Sequence, residues 1–409
     1  MTMGILSGLR VVELAMWVAG PLAGRILATH GAEVISLVPR GAPGSAWRGM
    51  AVDGASTFSM RPDYMSNKRS ISLDLHVPEA RAVLDRLLAV SDVLFDNLSI
   101  DGLARFGLSW DALHMAHPRL VVLRMPGIGL SGPYRSFASY GVTLQAFAGI
   151  NAVSGDAATT PIGPSAALPD YVAGTYAAMA VVAAVYQRDR TGEGVFVEMS
   201  QFEASVNLLG VPLMEQALSG ASPPLLGNRH ASAAPHGVFR CKDEPLSDGV
   251  TRDSWCAIAV VTDAQWVSLC GVAGWADLLA DERLAAAAGR KAHEDAIEHH
   301  LGTWINERTA WEVFALLDAA RVPVSVVESG VDMLERDEHL ATRGHFDLLD
   351  MPGLGPLHYH GNPLRFSNAP PPPRTPGPPP GDDNGYVLRE ILGMTSGEVA
   401  ALQACGALT

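Results

Sequence analysis

One carboxylate in this chain stands where local structure would sharpen its chemistry. Asp170 follows Pro169 and precedes a long apolar run, VAGTYAAMAVVAAVY, that reads as a helix. The first N–H groups of a helix have no partner within it, and the helix dipole is positive at that end. A carboxylate placed there either caps the helix or does chemistry with those donors behind it. The residues alone leave both roles open.

Other sources of chemistry are thin. The chain has no G-x-x-x-x-G-K-[ST] phosphate loop, no G-x-S-x-G nucleophile turn and no H-E-x-x-H pair. Gly127, Gly129 and Gly132 have partly the spacing of a dinucleotide fingerprint. Pro133, Tyr134 and Arg135 follow them where an apolar helix should begin, so a dinucleotide site is not expected. His114 and His117 lack flanking partners and read as structural or surface residues. The four cysteines form no C-x-x-C pair and fit no zinc spacing, so no metal is expected. They read as thiols of a reducing compartment, and a cytoplasmic location follows as an expectation.

The elements that must hold Asp170 are legible in the pattern. LRVVEL reads as a buried strand, PLAGRILATHGA as a helix stopped by Gly31, and EVISLV as a second strand. ISLDL, a helix over PEARAVLDRLLAV, DVLFDNL and RLVVLRMPG repeat the alternation, and VFVEMS follows the Asp170 helix. Strands alternating with helices predict an α/β fold with a mostly parallel, Rossmann-like sheet. In such sheets ligands gather beyond the carboxyl ends of the strands. A helix is expected near 203–219, then the loop-rich SPPLLGNRHASAAPHG marks a junction. WCAIAVV and the helices after it predict a smaller α/β domain at 226–330. The large domain is expected to comprise 1–200 completed by a returning segment, 331–409, with 201–225 as linker. Within that segment APPPPRTPGPPP is a stiff spacer, and YVLREILGMTSGEVAALQACG reads as a terminal helix docking far from its neighbours in sequence.

With 409 residues, 48% of them hydrophobic and 18% charged, the composition is that of a globular enzyme large enough for two domains. A formal charge of −14 disfavours nucleic-acid binding, which rests on phosphate neutralisation. The N-terminal MTMGILSGLRVVELA lacks a basic stretch leading into a long apolar one, so no signal peptide is expected. The apolar run Val172–Tyr186 is shorter than the roughly 20 residues a bilayer needs and reads as a core helix.

Several segments, taken in order, resemble the class III CoA-transferases, the family of formyl-CoA transferase, carnitine-related CoA-transferases and 2-methylacyl-CoA racemases. They are LSGLRVVELAMWVAGPLAGRILATHGAEVISL, NKRSISLDL, FDNLSIDGLARFGLSWDALHMAHPRLVVLRMPGIGLSGPY, YGVTLQAFAGINAVSG, PDYVAGTYAAMAVVAAVYQRDRTGEG and GNRHASAAPHGVFRCKD. The resemblance implies that Asp170 is the nucleophile, forming an anhydride and then an aspartyl-CoA thioester while CoA moves from an acyl-CoA to a carboxylic acid. It implies that Arg40, Lys68, Arg69, Asn97, Leu98, Leu103 and Arg105 hold CoA, the basic ones through phosphates. No cofactor is permanently bound on this reading; CoA arrives as part of the substrate. It also implies an interlocked homodimer, with acyl-CoA and carboxylic acids as the small-molecule partners and neither nucleic acid nor membrane.

This chain departs from the family at the expected acyl pocket of Trp17, Val18 and Tyr140. Val18 replaces a glutamine of formyl-CoA transferase, which argues against formate or oxalate and for a more apolar acyl group. Tyr140 stands where the racemases have histidine, and tyrosine is a poor base near neutral pH. Gly141 replaces an aspartate common in the transferases. The alternatives are an acyl-CoA isomerase or epimerase of the same fold, and a CoA-binding homologue without turnover.

Overall fold

The computed structural model describes residues 4–38, 61–156, 162–164, 167–222, 224–245, 249, 251–351 and 355–408. The chain divides into two compact units, one of residues 1–151, 163–219 and 344–409, the other of 152–162 and 220–343.

The main sheet of the large unit has six strands among the described residues, β1 (Arg10–Leu14), β2 (Glu33–Val38), β3 (Arg69–Ser72), β4 (Val93–Asp96), β5 (Val121–Arg124) and β6 (Phe196–Glu198). All neighbouring pairs are parallel, in the order β3-β2-β1-β4-β5-β6. The central strands β1, β4 and β5 are buried along nearly their whole length, with apolar stretches VV, VLF and VVL, because helices cover both faces, as parallel crossovers require. On one face α1 (Ala19–Thr29) and the long helix that begins at Leu168 bury Leu27, Ala173, Ala177 and Val181 against Val11, Phe95 and Leu123. On the other face the helix Pro78–Leu88 packs Leu84 and Leu87 together with Val387, Leu388, Val399 and Leu402 from the C-terminal segment. Strand order reverses between β1 and β4, so the loops after these two strands diverge and open a crevice at their carboxyl ends.

The returning segment covers the sheet edge at β3. Asp383 accepts the Ser70 N–H at 2.8 Å, Asn384 accepts the Ser72 N–H at 3.0 Å, and Asn67 accepts the Thr375 N–H at 2.8 Å. Side chains thereby supply the acceptors that a neighbouring strand would otherwise supply. The last stretch is not one helix: a wide turn of π-helix, Tyr386–Ile391, and a separate helix, Ser396–Ala404, flank Gly393 at φ +64°. Gly393 permits the left-handed break, and Thr395 caps the second helix.

The span expected to be a linker differs. Residues 201–219 form helices of the large unit, Gln201–Val206 and Gly210–Ser219, and Ala204 and Ser205 are buried there. The Asp170 helix runs from Leu168 to Thr191, 24 residues, longer than the apolar run suggested and long and apolar enough by itself to cross a bilayer. Here its Ala/Gly face lies on α1, and Arg188 near its end pairs with Asp92 at 2.7 Å. The small unit has a three-stranded antiparallel sheet in which Trp255–Ala259 lies between His236–Arg240 and Val324–Val326. Its own core is built around Trp266, Leu301 and Leu317.

Candidate active site

Asp170 lies in the first turn of its helix, not at the cap. Ala167 is the cap residue and offers no side-chain bond, and Pro169 needs no N–H partner in the opening turn. The Asp170 carboxylate is thus available to groups outside its helix. The backbone N–H groups of Ala19, the first residue of α1, and of Asp170 itself lie near enough to favour its ionised form, while the Asp170 N–H is bonded to the Ala167 carbonyl at 2.9 Å. Burial nevertheless dominates and pushes the Asp170 carboxyl up to about 6, against the pull of both N–H groups.

Two glycines make this meeting possible. A Cβ on Gly174, one turn beyond Asp170, would lie 2.8 Å from the Ala19 carbonyl oxygen, so only glycine lets the two helices approach at that level. A Cβ on Gly141 would lie 2.2 Å from Asp170 Oδ2 and 2.9 Å from Ala167 Cβ. The space left by the missing Gly141 side chain is therefore filled by the carboxylate itself. The sequence marked Gly141 as a departure without a role, and only the tertiary contact gives it one.

The three residues expected around the acyl group adjoin the segments that meet the Asp170 helix, Trp17 and Val18 preceding Ala19 and Tyr140 preceding Gly141. Val18 immediately precedes Ala19 and is half-buried. Trp17 and Tyr140 meet edge to face, ring centres 5.8 Å apart, and remain 53% and 63% exposed. Two such exposed aromatics present apolar surface at the mouth of the site. Trp17 has φ +66°, a left-handed conformation that costs an L-residue roughly 1–2 kcal/mol. Strain of this kind in a loop beside a reactive group must be held by its neighbours.

The residues expected to hold CoA fall in different places. Asn97, Leu98, Leu103 and Arg105 follow β4 at the crevice. Leu103 is in the core, Leu98 is half-buried, and Arg105 is exposed with no ion-pair partner among the described residues. The loop is tied to the sheet by Arg124, which pairs with Asp96 at 3.0 Å and donates to the carbonyls of Ser99 and Ile100. The Lys68 expectation needs correction. Its side chain is fully buried and its ammonium is bound to Glu13 at 2.6 Å and to the Pro21 carbonyl at 2.8 Å, so its charge serves the interior. Arg69 reaches Asp383 at 2.9 Å and stacks over Tyr386, tying down the returning segment while half exposed. Arg40 lies outside the described residues. Among the described residues no cluster of His, Cys, Asp or Glu could hold a metal.

A doubly wound sheet of this strand order, with a buried carboxylate where two helices begin beside the switch point, is the frame of a substrate-binding α/β enzyme. Residues 6–384 match the family model described as CoA-transferase family III, and the chain belongs to that family. It is 31% identical over 403 residues to the succinyl-CoA–D-citramalate CoA-transferase of Chloroflexus aurantiacus, covering 98% of this chain and 97% of the relative. It is 32% identical over 402 residues to the succinate–glutarate CoA-transferase of Agrobacterium fabrum, covering 94% and 95%. A CAIB/BAIF family protein from Brucella suis has the same fold, with TM-score 0.83 and 29% identity over 95% of this chain and 99% of that one. The protein is thus an enzyme of the family III CoA-transferase class, acting on CoA thioesters.

Proposed function

We propose that this enzyme moves CoA from an acyl-CoA to a carboxylic acid through covalent intermediates on Asp170. The observation that carries the reading is the buried Asp170 carboxylate, pressed into the gap at Gly141 where the start of α1 at Ala19 meets its helix. An Asp170 oxygen attacks the thioester carbonyl carbon, the C–S bond breaks, and CoA leaves as thiolate with the bonding electron pair. The product is a mixed anhydride. The thiolate then attacks the Asp170 carbonyl carbon, releasing the donor acid as carboxylate and leaving an aspartyl-CoA thioester. The acceptor carboxylate repeats the first step on that thioester, and the returning thiolate attacks the acceptor carbonyl and restores Asp170. Each addition places negative charge on a carbonyl oxygen, and a fixed N–H such as Ala19 stabilises an oxyanion at that point.

Arg105, exposed beside the crevice loop, suits a phosphate of CoA as a charge-assisted donor. The relatives named for succinyl-CoA, citramalate and glutarate make dicarboxylates the first substrates to try, against the apolar acids that Trp17 and Tyr140 would favour. The functional unit on this reading is a homodimer, and apolar residues left exposed on two helices of the large unit suit burial by a second copy. They are Tyr176, Met179 and Tyr186 with Val211, Met214 and Leu218. Light scattering should then give twice the chain mass.

Mass spectrometry after incubation with a panel of acyl-CoA esters, succinyl-CoA first, followed by hydroxylamine or borohydride, tests the chemistry. An adduct on the Asp170 peptide, absent in Asp170→Ala, supports it. Folded protein that binds CoA but never labels with any donor refutes it. Solvent deuterium entering the acyl α-position without an acceptor acid would favour an isomerase instead.

A further inference from the structure

The loop that carries Trp17 and delivers the Ala19 N–H has one side-chain tether from the next strand of the crevice. Asn97 Nδ2 donates to the Met16 carbonyl at 2.6 Å, and Asn97 Oδ1 accepts the Met16 N–H at 2.8 Å. Both polar ends of one amide are thus engaged with one residue of backbone, which only a side chain with adjacent donor and acceptor can do. Asn97 is itself fixed from below. Asp96 accepts the Leu98 N–H at 3.0 Å, and Arg124 grips Asp96 and the next two carbonyls of the loop. The path therefore runs from the Asp96–Arg124 pair through Asn97 to Met16, across the left-handed Trp17, and on to Ala19 against Asp170.

We propose that Asn97 is a positioning residue, holding the loop after β1 so that the start of α1, at Ala19, stays packed against the Asp170 helix beside the carboxylate. This differs from a role as a CoA contact, which the resemblance alone implied for the same residue. It deepens the reading of Asp170 as nucleophile, yet it is testable without turnover. Helix α1, the helix beginning at Gly141 and the Asp170 helix surround the carboxylate, and no charged side chain among the described residues bears on its titration, only N–H groups. Moving the Ala19 N–H away must therefore appear as an upward shift in the Asp170 titration.

The experiment uses full-length protein labelled with [γ-13C]aspartate, the Asp170 signal being assigned by its disappearance in Asp170→Asn. Asn97→Ala and Asn97→Asp are titrated by NMR, and free CoA affinity is measured by calorimetry. Asn97→Asp keeps the side-chain shape and turns one of the two bonds repulsive, so it carries the test if the alanine variant does not fold. The expected result is an Asp170 midpoint raised by about half a unit or more, with CoA affinity within about twofold of wild type. With a working donor, kcat should fall about tenfold while the KM for acyl-CoA changes little. An unmoved Asp170 midpoint in a folded variant overturns the proposal. A roughly tenfold loss of CoA affinity with Asp170 unmoved would return Asn97 to the CoA contacts. Neither outcome depends on whether Asp170 forms an anhydride.

Discussion

Substituting Gly141 by alanine should disable the enzyme without unfolding it. The new methyl would lie 2.2 Å from Asp170 Oδ2 and 2.9 Å from Ala167 Cβ. Of these neighbours the carboxylate swings most easily, since Ala167 is fixed by its place at the start of the Asp170 helix. To reach ordinary van der Waals separation the carboxylate must recede by about 1 Å, which takes it out of the position it holds beside Gly141. A displacement of about 1 Å at a reacting group costs on the order of 100-fold in rate. Stability should move little or rise, because Gly141 opens a helix with no left-handed φ and alanine there gains about 0.5–1 kcal/mol of helix propensity. The assay is initial-rate CoA transfer from whichever donor labels Asp170, with thermal melts of both proteins in parallel. A Gly141→Ala enzyme with wild-type kcat would refute the reasoning, since the carboxylate could not then occupy the gap during catalysis. A large drop in melting temperature would refute the claim that the carboxylate is the part that yields.

Asp170→Asn should abolish transfer yet stabilise the fold at pH 8. Burial raises the carboxyl from 3.8 to about 6, so its ionisation opposes folding; the benefit of the variant, at most about 3 kcal/mol at 1.36 kcal/mol per unit, should fade as pH falls through 6 towards 4. For the wild type the same shift predicts transfer rates that rise with pH through about 6, when the nucleophile becomes ionised, and a profile flat across pH 5–7 would contradict it. Lys68→Met should cost about 3–5 kcal/mol, because Glu13 is left charged and buried, whereas Arg105→Ala should weaken CoA binding with an unchanged melt. Calorimetry with CoA and chemical denaturation separate the two, and equal losses of CoA affinity would overturn the distinction. Asp383→Ala removes the acceptor of both Arg69 and the Ser70 N–H, so unfolding should become easier by about 1–3 kcal/mol, read in urea titrations.

Much of the sheet was legible because local pattern encodes it. Apolar runs such as VVEL and VLFD, each followed by a helical stretch, state a parallel sheet buried on both faces, and the helix behind Asp170 declares itself by its Ala and Gly content. Asp170 itself could be picked out, since a carboxylate at a helix start is visible in a linear string. What a string does not carry is which distant backbone meets that carboxylate. The Ala19 N–H, the gap at Gly141 and the close approach at Gly174 join segments about 30 to 150 residues apart, and each is a matter of a few tenths of an ångström. Charge was the least legible property. Lys68 and Arg69 are adjacent basic residues with the same chemistry, yet strand alternation sends one inward to Glu13 and leaves the other at the surface on Asp383. The sequence by itself determined the family, the alternating α/β architecture and the candidate carboxylate, because these rest on residue type and short-range order. Tertiary structure alone decided which amides and glycines surround that carboxylate and where the basic side chains go, because those placements depend on distances set only when the strands and helices are packed.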